Sequence, residues 1–197
     1  ALAASRVTNN NKTANIATSL DMSYEPVKGL RIGNLLSYNF ISGTADRFTP
    51  SFLNGGSSES YSYNDRTYTL YNRSLINYTK TLYNLHNFNA YVFNEINSYG
   101  ARANVVSLGR TANDQITGPI GYSWIDTRGG TLNSIRETRQ HGYGGSFSYN
   151  FDRKYVLDFN FRFDGLSTTG SKQPYSQNPS ISARWNFNRE KWLEKAT

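Results

Sequence analysis

The feature that most constrains this chain is an alternation of apolar and polar residues with a period of two. In Tyr155–Asp164 every odd position is apolar or aromatic, and from Asp158 onward every even position is polar. A strand places successive side chains on opposite faces, whereas a helix would scatter this pattern around its axis. The segment therefore predicts a β-strand with one apolar and one polar face.

The same alternation recurs along the chain, clearly in some segments and with mixed faces in others. The predicted strands cover 16–24, 30–41, 67–79, 85–99, 143–151, 155–164 and 180–188. Short polar connections between several of them favour hairpins. The sequence therefore predicts an all-β antiparallel sheet of about seven strands.

The connections between these strands alternate in length. The short ones are 26–29, 80–84 and 152–154, and the long ones are 42–66, 100–139 and 165–177. Outer-membrane β-barrels show this rhythm, with short periplasmic turns and long extracellular loops. Long loops are uncommon in ordinary domains, so they need a reason of this kind.

Composition agrees with a chain that has little dry core. Hydrophobic residues make up 37% of it, yet 15% is aromatic, and it has no Cys. It lacks the run of about 18 apolar residues that a transmembrane helix needs. A barrel strand meets lipid only at every second residue, so this lack does not exclude a membrane barrel.

Alternation alone fits both a soluble sandwich and a membrane barrel, because each has one apolar and one polar face per strand. Three features favour the barrel: the loop asymmetry, strands of at least the ~9–11 residues that a tilted membrane strand needs, and aromatic residues near strand ends. These aromatics, which would suit interfacial girdles, are Tyr24, Tyr38, Tyr155, Trp185 and Phe187.

One block of the sequence resembles the SusC/RagA family of TonB-linked outer-membrane proteins. Its motifs are a Tyr-Asn-Phe-Asp-Arg-Lys-Tyr hairpin (149–155), Arg-Phe-Asp-Gly-Leu-Ser (162–167), Asn-Pro-Ser-Ile-Ser-Ala-Arg-Trp (178–185) and Glu-Lys-Trp-Leu-Glu (190–194). Weaker matches are 20–30, which ends in Lys-Gly-Leu, and 77–88. Leu166 and Asn178 depart from the usual Ser and Phe.

The resemblance implies TonB-dependent import of oligosaccharides, peptides or similar nutrients across a bacterial outer membrane. It implies a barrel of about 22 strands around a plug, a SusD-like surface lipoprotein as a lid, and a TonB complex contacted through other segments. Residues 1–197 would then be part of the barrel domain, with the plug and the remaining strands outside this chain. Unpaired strand edges in lipid are costly, so we expect those strands to complete the wall.

The polar face of the strands predicts the residues that line the barrel lumen. They are Asp21, Asp158, Asn160, Arg162, Asp164, Arg184 and Asn186. Cross-strand pairing alone could explain them, and contact with the plug or cargo is the functional alternative. A second set combines aromatic and polar groups in the predicted loops, where cargo or the lid could bind: Tyr61, Tyr63, Tyr122, Trp124 and Arg128.

Other classes of function find little support. His86 and His141 have no paired ligand spacing, no nucleophile motif is visible, and Asp46, Asp65 and Asp114 do not form a calcium loop. We therefore predict no enzyme activity, metal or cofactor. The net charge of +7 is spread along the chain, which favours contact with anionic lipopolysaccharide over nucleic acid.

An alternative stays open at this point. A small closed barrel or a secreted β-sandwich, acting as an adhesin or glycan-binding module, would show the same alternation. The two hypotheses differ in one observable feature: in the sandwich a second layer would cover the row Phe159, Phe161 and Phe163.

Overall fold

A computed structural model describes residues 7–109, 114–115, 127–167 and 175–194. The strands are β1 Thr8–Val27, β2 Leu30–Thr49, β3 Glu59–Leu82, β4 His86–Gly109, β5 Thr127–Phe151, β6 Tyr155–Leu166, β7 Tyr175–Gln177 and β8 Ser180–Trp185. Two 3-10 turns cover Ser51–Leu53 and Phe187–Arg189, and helix α1 covers Lys191–Glu194. Within the described ranges, no helix is long and apolar enough to cross a membrane.

The strands form one sheet whose neighbours follow chain order from β1 to β7, with β8 also paired to β6. Strands β7 and β8 are two parts of one line, because both run antiparallel to β6. Between them Asn178 continues the ladder: its amide donates to the Arg162 carbonyl at 2.8 Å and its carbonyl accepts from the Arg162 amide at 3.2 Å. The predicted all-β antiparallel sheet of about seven strands is therefore confirmed.

Tight turns join β1 to β2, β3 to β4 and β5 to β6. In the first turn Gly29 has a φ of 88°, and a Cβ there would lie 2.3 Å from the Thr79 carbonyl oxygen. Only glycine fits both the conformation and the close approach. The third turn holds Asp152 and Arg153 at positive φ, which makes it the left-handed kind that matches strand twist.

Five strands are considerably longer than the sequence predicted: β1 begins at Thr8 instead of residue 16, and β2 to β5 extend into the predicted long loops. Strand β2 continues to Thr49, β3 begins at Glu59, β4 continues to Gly109 and β5 begins at Thr127, so much of 42–66 and 100–139 is strand and not loop. These stretches are rich in Gly, Ser, Asn and Thr, which carry little apolar alternation. Periodicity cannot reveal a strand whose two faces are both polar.

The chain divides into two units, which we describe separately. The first comprises Ala1–Ala17, Asn39–Thr69 and Tyr99–Glu137. It contains a small buried set of residues, with Phe48 1% and Leu108 3% exposed and the Pro50 side chain fully buried. Phe48 and Leu108 are thus removed from solvent, although Ile16, Phe52 and Tyr68 of the same unit are exposed.

Polar side chains reinforce the first unit. Asp114 accepts hydrogen bonds from the Ser51 amide at 2.9 Å and the Ser51 hydroxyl at 2.8 Å, and so caps the first 3-10 turn. The Ser62 hydroxyl donates to Asp46 at 2.7 Å. These two carboxylates therefore have structural partners, and among the described residues no cluster of His, Asp and Glu could hold a metal ion.

The second unit comprises Thr18–Tyr38, Leu70–Ser98 and Thr138–Thr197. Its aromatic residues lie in register on one face: Phe147 pairs with Phe159, and Tyr143 pairs with Phe163, with ring centroids 4.9 Å apart. This row is uncovered, since Phe147 is 43% and Phe159 is 45% exposed. No second layer of described residues in this unit covers the row. A two-sheet sandwich would require such a layer, so the observation argues against the sandwich.

Candidate functional site

The polar face of β6 is built from four alternate residues, which the register aligns with small or polar partners. Asp158 accepts from the Ser148 hydroxyl at 2.5 Å and from the Ser182 hydroxyl at 3.2 Å. Asn160 donates to the Ser180 hydroxyl at 3.4 Å. These cross-strand hydrogen bonds satisfy Asp158 and Asn160. The other two residues of the row, Arg162 and Asp164, carry opposite charges and make a different set of contacts.

Arg162 is the centre of a charge cluster. Its Nε lies 2.8 Å from both oxygens of Asp164, and its Nη2 makes an ion pair with Glu95 Oε1. The Tyr71 hydroxyl donates to the other Glu95 oxygen at 3.1 Å. The guanidinium carbon also lies 5.4 Å from the Phe93 ring centroid, within cation–π range. The cluster thus joins side chains from β3, β4 and β6.

Two glycines of β5 make this cluster possible. Strands β4 and β6 flank β5, so their side chains are two strand spacings apart, roughly 10 Å. Gly142 and Gly144 lie opposite Asp164 and Arg162. A Cβ on Gly142 would lie 3.0 Å from Glu95 Oε1 and 3.1 Å from Asp164 Oδ1, tighter than ordinary contact. The missing side chains therefore let Arg162 reach across β5 to Glu95.

Two cavities adjoin the Glu95–Arg162 ion pair. The larger has a volume of about 1090 Å³, and its lining includes the charged Glu95, Arg162 and Asp164 and the polar Asn97, Gln140 and His141. The smaller, of about 350 Å³, is lined by the same ion pair with Arg73, Leu75, Asn77, Tyr91 and Phe93. The same ion pair therefore lines both cavities.

A separate cluster ties the segment after β8 to the sheet. Glu190 Oε1 accepts from the Tyr155 hydroxyl at 2.6 Å and from Trp185 Nε1 at 3.2 Å. Lys154 Nζ lies 3.9 Å from the other Glu190 oxygen. The hydrogen bond from Tyr155, with that from Trp185, lowers the pKa of the Glu190 carboxyl. One carboxylate thus fixes two large aromatic side chains beside the third turn.

Comparison with known proteins shows which proteins share this sequence pattern and this fold. No family model matches the chain. The TonB-dependent receptor P3 of Formosa agariphila is 23% identical over 181 residues, which cover 87% of this chain and 17% of the receptor. The RagAB peptide transporter superposes with a TM-score of 0.87 at 15% identity, covering 96% of this chain and 21% of the matched chain.

A second RagAB structure, the peptide importer in its open-open state, also gives a TM-score of 0.87 at 15% identity, over 97% of this chain and 21% of that chain. The chain has the fold of a SusC/RagA-like barrel wall. It spans between 17% and 21% of the length of these relatives. As the sheet runs from β1 to β7 and β8, it is an open stretch of such a wall in the described residues.

The structure places most of the predicted polar-face residues on the barrel wall. Asp158, Asn160, Arg162 and Asp164 share one face of β6, and Arg184 pairs with Val156 on the same face. Asp21 is an exposed residue of β1. Asn186 lies beyond the end of β8, where its side chain donates to the Arg153 carbonyl at 2.6 Å and fastens the turn.

The predicted loop set is only partly within the described residues. Tyr61 and Tyr63 lie on β3, on the same side of the strand, in the first unit. Tyr122 and Trp124 lie outside the described residues, and only the backbone of Arg128, in β5, is described. Their role in binding cargo or a lid stays a prediction.

Sequence reasoning missed Tyr71, Arg73 and Glu95, which complete the charge cluster and the cavities. They lie on strands whose faces are mixed, so alternation alone could not assign them to the polar side. The available signal was the Gly142-x-Gly144 pair opposite Arg162 and Asp164, which marks a place where side chains from more distant strands can meet.

Proposed function

We propose that this chain forms part of the barrel wall of an outer-membrane, TonB-dependent nutrient importer. The observation that carries the proposal is the uncovered aromatic row of β5 and β6, which lies directly behind a hydrogen-bonded polar row on the other face. Large exposed apolar surfaces on a folded protein mark an apolar partner. Acyl chains on one side and water on the other satisfy both rows.

In this arrangement the polar-face residues line the lumen. Asp21, Asp158, Asn160, Arg162, Asp164 and Arg184 would hydrate the wall and contact the plug or the cargo. The fold shared with RagAB, a peptide transporter, and the similarity to a TonB-dependent receptor support import as the activity. Oligosaccharides and peptides are the cargo classes that we propose.

The partners that we propose follow from the proposed role as part of a TonB-dependent importer. The plug and the remaining strands would complete the barrel, a SusD-like surface lipoprotein would close it, and the TonB complex would act through other segments. Lipid and lipopolysaccharide would surround it. Tyr61, Tyr63, Tyr122, Trp124 and Arg128 are the residues that we propose for contact with cargo or the lid.

Two adjacent substitutions on β6 test the proposal in the full-length protein that carries these residues. Phe159→Asp places a charge in the aromatic row, and Asn160→Asp places the same charge on the polar face. Charged groups at the bilayer midplane cost about 2–4 kcal/mol for Arg or Lys and less for Asp. We expect Phe159→Asp to reduce the heat-resistant, membrane-inserted fraction strongly and Asn160→Asp to leave it nearly unchanged.

The same two variants can also contradict the assignment of the lipid-facing and water-facing sides of β6. Equal insertion of both variants, or a greater loss with Asn160→Asp, would reverse or abolish the assignment of the faces. Energised uptake by whole cells, measured with and without a protonophore, then tests import itself.

A further inference from the structure

We infer that the two cavities beside the Glu95–Arg162 ion pair form one binding site for a small zwitterion, with its cationic group in the larger cavity and its anionic group in the smaller. The inference deepens the proposed function and rests on it, because the cluster must face water. The supporting observation is that the fold places an excess negative charge in one cavity and an excess positive charge in the other.

The charges are divided unequally between the cavities. In the larger, two carboxylates, Glu95 and Asp164, face the single guanidinium of Arg162, which leaves one excess negative charge when His141 is formally counted as neutral. In the smaller, two guanidinium groups, Arg73 and Arg162, face the single carboxylate of Glu95, which leaves one excess positive charge. Because Glu95 and Arg162 belong to both, the two excess charges come from Asp164 and Arg73.

The internal contacts do not cancel this division. Asp164 and Glu95 both pair with Arg162, so two carboxylates share one guanidinium and only one of their two negative charges is balanced. Among the described residues, no carboxylate lies within ion-pair distance of Arg73. Each cavity therefore keeps a group that a ligand of the opposite sign could approach, while the shared ion pair keeps the two groups apart.

Further features of the lining fit a ligand of this kind. The Asn97 Oδ1 atom is buried and accepts no hydrogen bond from the described residues, so the wall of the larger cavity has an unmet acceptor for an N–H donor. Tyr91, Phe93 and Leu75 offer an apolar surface beside Arg73. The volumes, about 1090 Å³ and 350 Å³, accommodate a small molecule.

The glycines of β5 show that the site depends on more than surface charge. A methyl group at Gly142 would approach both Glu95 Oε1 and Asp164 Oδ1 to about 3 Å. The bare strand beneath the ion pair thus keeps the carboxylates in place and leaves room above them. An ordinary polar residue at this position would fill the same space.

Calorimetric titration of the purified full-length protein in detergent tests the inference with trialanine and its capped forms. The native protein should bind trialanine about tenfold more tightly than either the N-acetyl form, which lacks the cation, or the C-terminal amide, which lacks the anion. This comparison needs no variant. Equal affinity for all three forms would overturn the inference.

Two substitutions assign the halves of the site. Asp164→Asn should weaken binding of ligands with a free amino group about tenfold and leave the N-acetyl form unaffected. Arg73→Gln should weaken binding of ligands with a free carboxylate and leave the amide unaffected. If both variants lost every ligand form equally, the charges would act on the fold and not on the ligand.

Asp152→Asn is the matched control, because it removes one carboxylate from the turn just before β6, outside both cavities and outside the polar face. It should leave all affinities within about twofold of the native values. Failure of the inference is separable from failure of the proposed function, since insertion of Phe159→Asp and Asn160→Asp reports the faces without any ligand. A correctly inserted protein that binds none of the three forms would disprove the zwitterion site alone.

Discussion

Particular apolar side chains in the two units of this chain differ sharply in exposure, although both units are built from the same long strands. In the first unit Phe48 and Leu108 are almost completely buried, whereas in the second Phe147 and Phe159 are nearly half exposed. The chemistry of the residues is similar, so the difference lies in the surroundings. Protein covers Phe48 and Leu108, whereas the row that contains Phe147 and Phe159 requires an apolar medium.

Truncation of a phenylalanine in each unit should give the largest difference in stability between the two units. Phe48→Ala removes a fully buried ring and should cost about 3–5 kcal/mol, because a cavity is left behind. Phe147→Ala removes a ring that surrounding detergent or lipid can replace, and it should cost clearly less. Denaturant-induced unfolding of the two variants measures both values, and equal costs would remove the distinction between the units.

Glycine replacement is expected to have the next largest effect. A Cβ on Gly144 in the second unit would lie 2.4 Å from the Phe161 carbonyl oxygen, whereas one on Gly100 in the first unit would lie 2.3 Å from a Tyr68 ring carbon. A carbonyl of a paired strand cannot move freely, but a tyrosine ring can turn away.

We therefore expect Gly144→Ala to cost about 1–3 kcal/mol, and Gly100→Ala to cost less. The fraction of correctly assembled protein and its unfolding midpoint report the difference. Gly33→Ala is a control in the second unit, because its Cβ would meet only an ordinary contact 3.7 Å from the Met22 carbonyl oxygen. A larger loss with Gly100→Ala would mean that the first unit is the more rigid of the two.

A smaller effect concerns the polar support of the first unit. Asp114→Ala removes both acceptors that cap Ser51, and we expect a loss of about 1 kcal/mol, typical of a helical cap. Faster hydrogen exchange of the Ser51 amide would show it. Asp114→Asn keeps one acceptor and should fall between the native protein and the alanine variant. Unchanged exchange in both variants would mean that burial alone holds this turn.

The smallest expected effect lies in the second unit and depends on pH. Because hydrogen bonds from Tyr155 and Trp185 lower the pKa of Glu190, their stabilisation is present above the unfolded value of about 4.3 and is lost as pH falls through the lower folded value. The difference in tryptophan fluorescence between the native protein and a Trp185→Phe variant should report release of Trp185 in that acidic range. Glu190→Gln should abolish the transition, and a transition that persists would assign it to another group.

The sequence predicted best the strands in which apolar and polar residues are cleanly sorted. The pairing of 143–151 with 155–164 followed from two regular patterns and a three-residue turn, and the structure confirms it. The parts of β2 to β5 that lie within 42–66 and 100–139 were predicted as loops, because residues such as Ser60, Ser62 and Asn64 give no apolar signal. Hydrogen bonding and local packing make those parts strands, and neither is visible in periodicity.

The candidate site was predicted only in part for a similar reason. Arg162 and Asp164 stand out on a regular strand, so they were placed together on its polar face, where the structure also has them; that this face lines a lumen stays a prediction. Glu95 lies far from them in sequence, and its contact with Arg162 depends on the register of three strands and on the absence of side chains at Gly142 and Gly144. Contacts of that kind are set by tertiary structure, and a single sequence does not specify them.

The glycine pair in β5 has a consequence for how this wall can change. In most sheets a side chain interacts with residues on the adjacent strands alone, so substitutions two strands away are independent. Here Glu95 and Arg162 interact across an intervening strand that contributes only backbone between them. A substitution of Glu95 or Arg162 therefore changes which residue is favourable at the other position. A bulkier residue at Gly142 or Gly144 would break the contact between them.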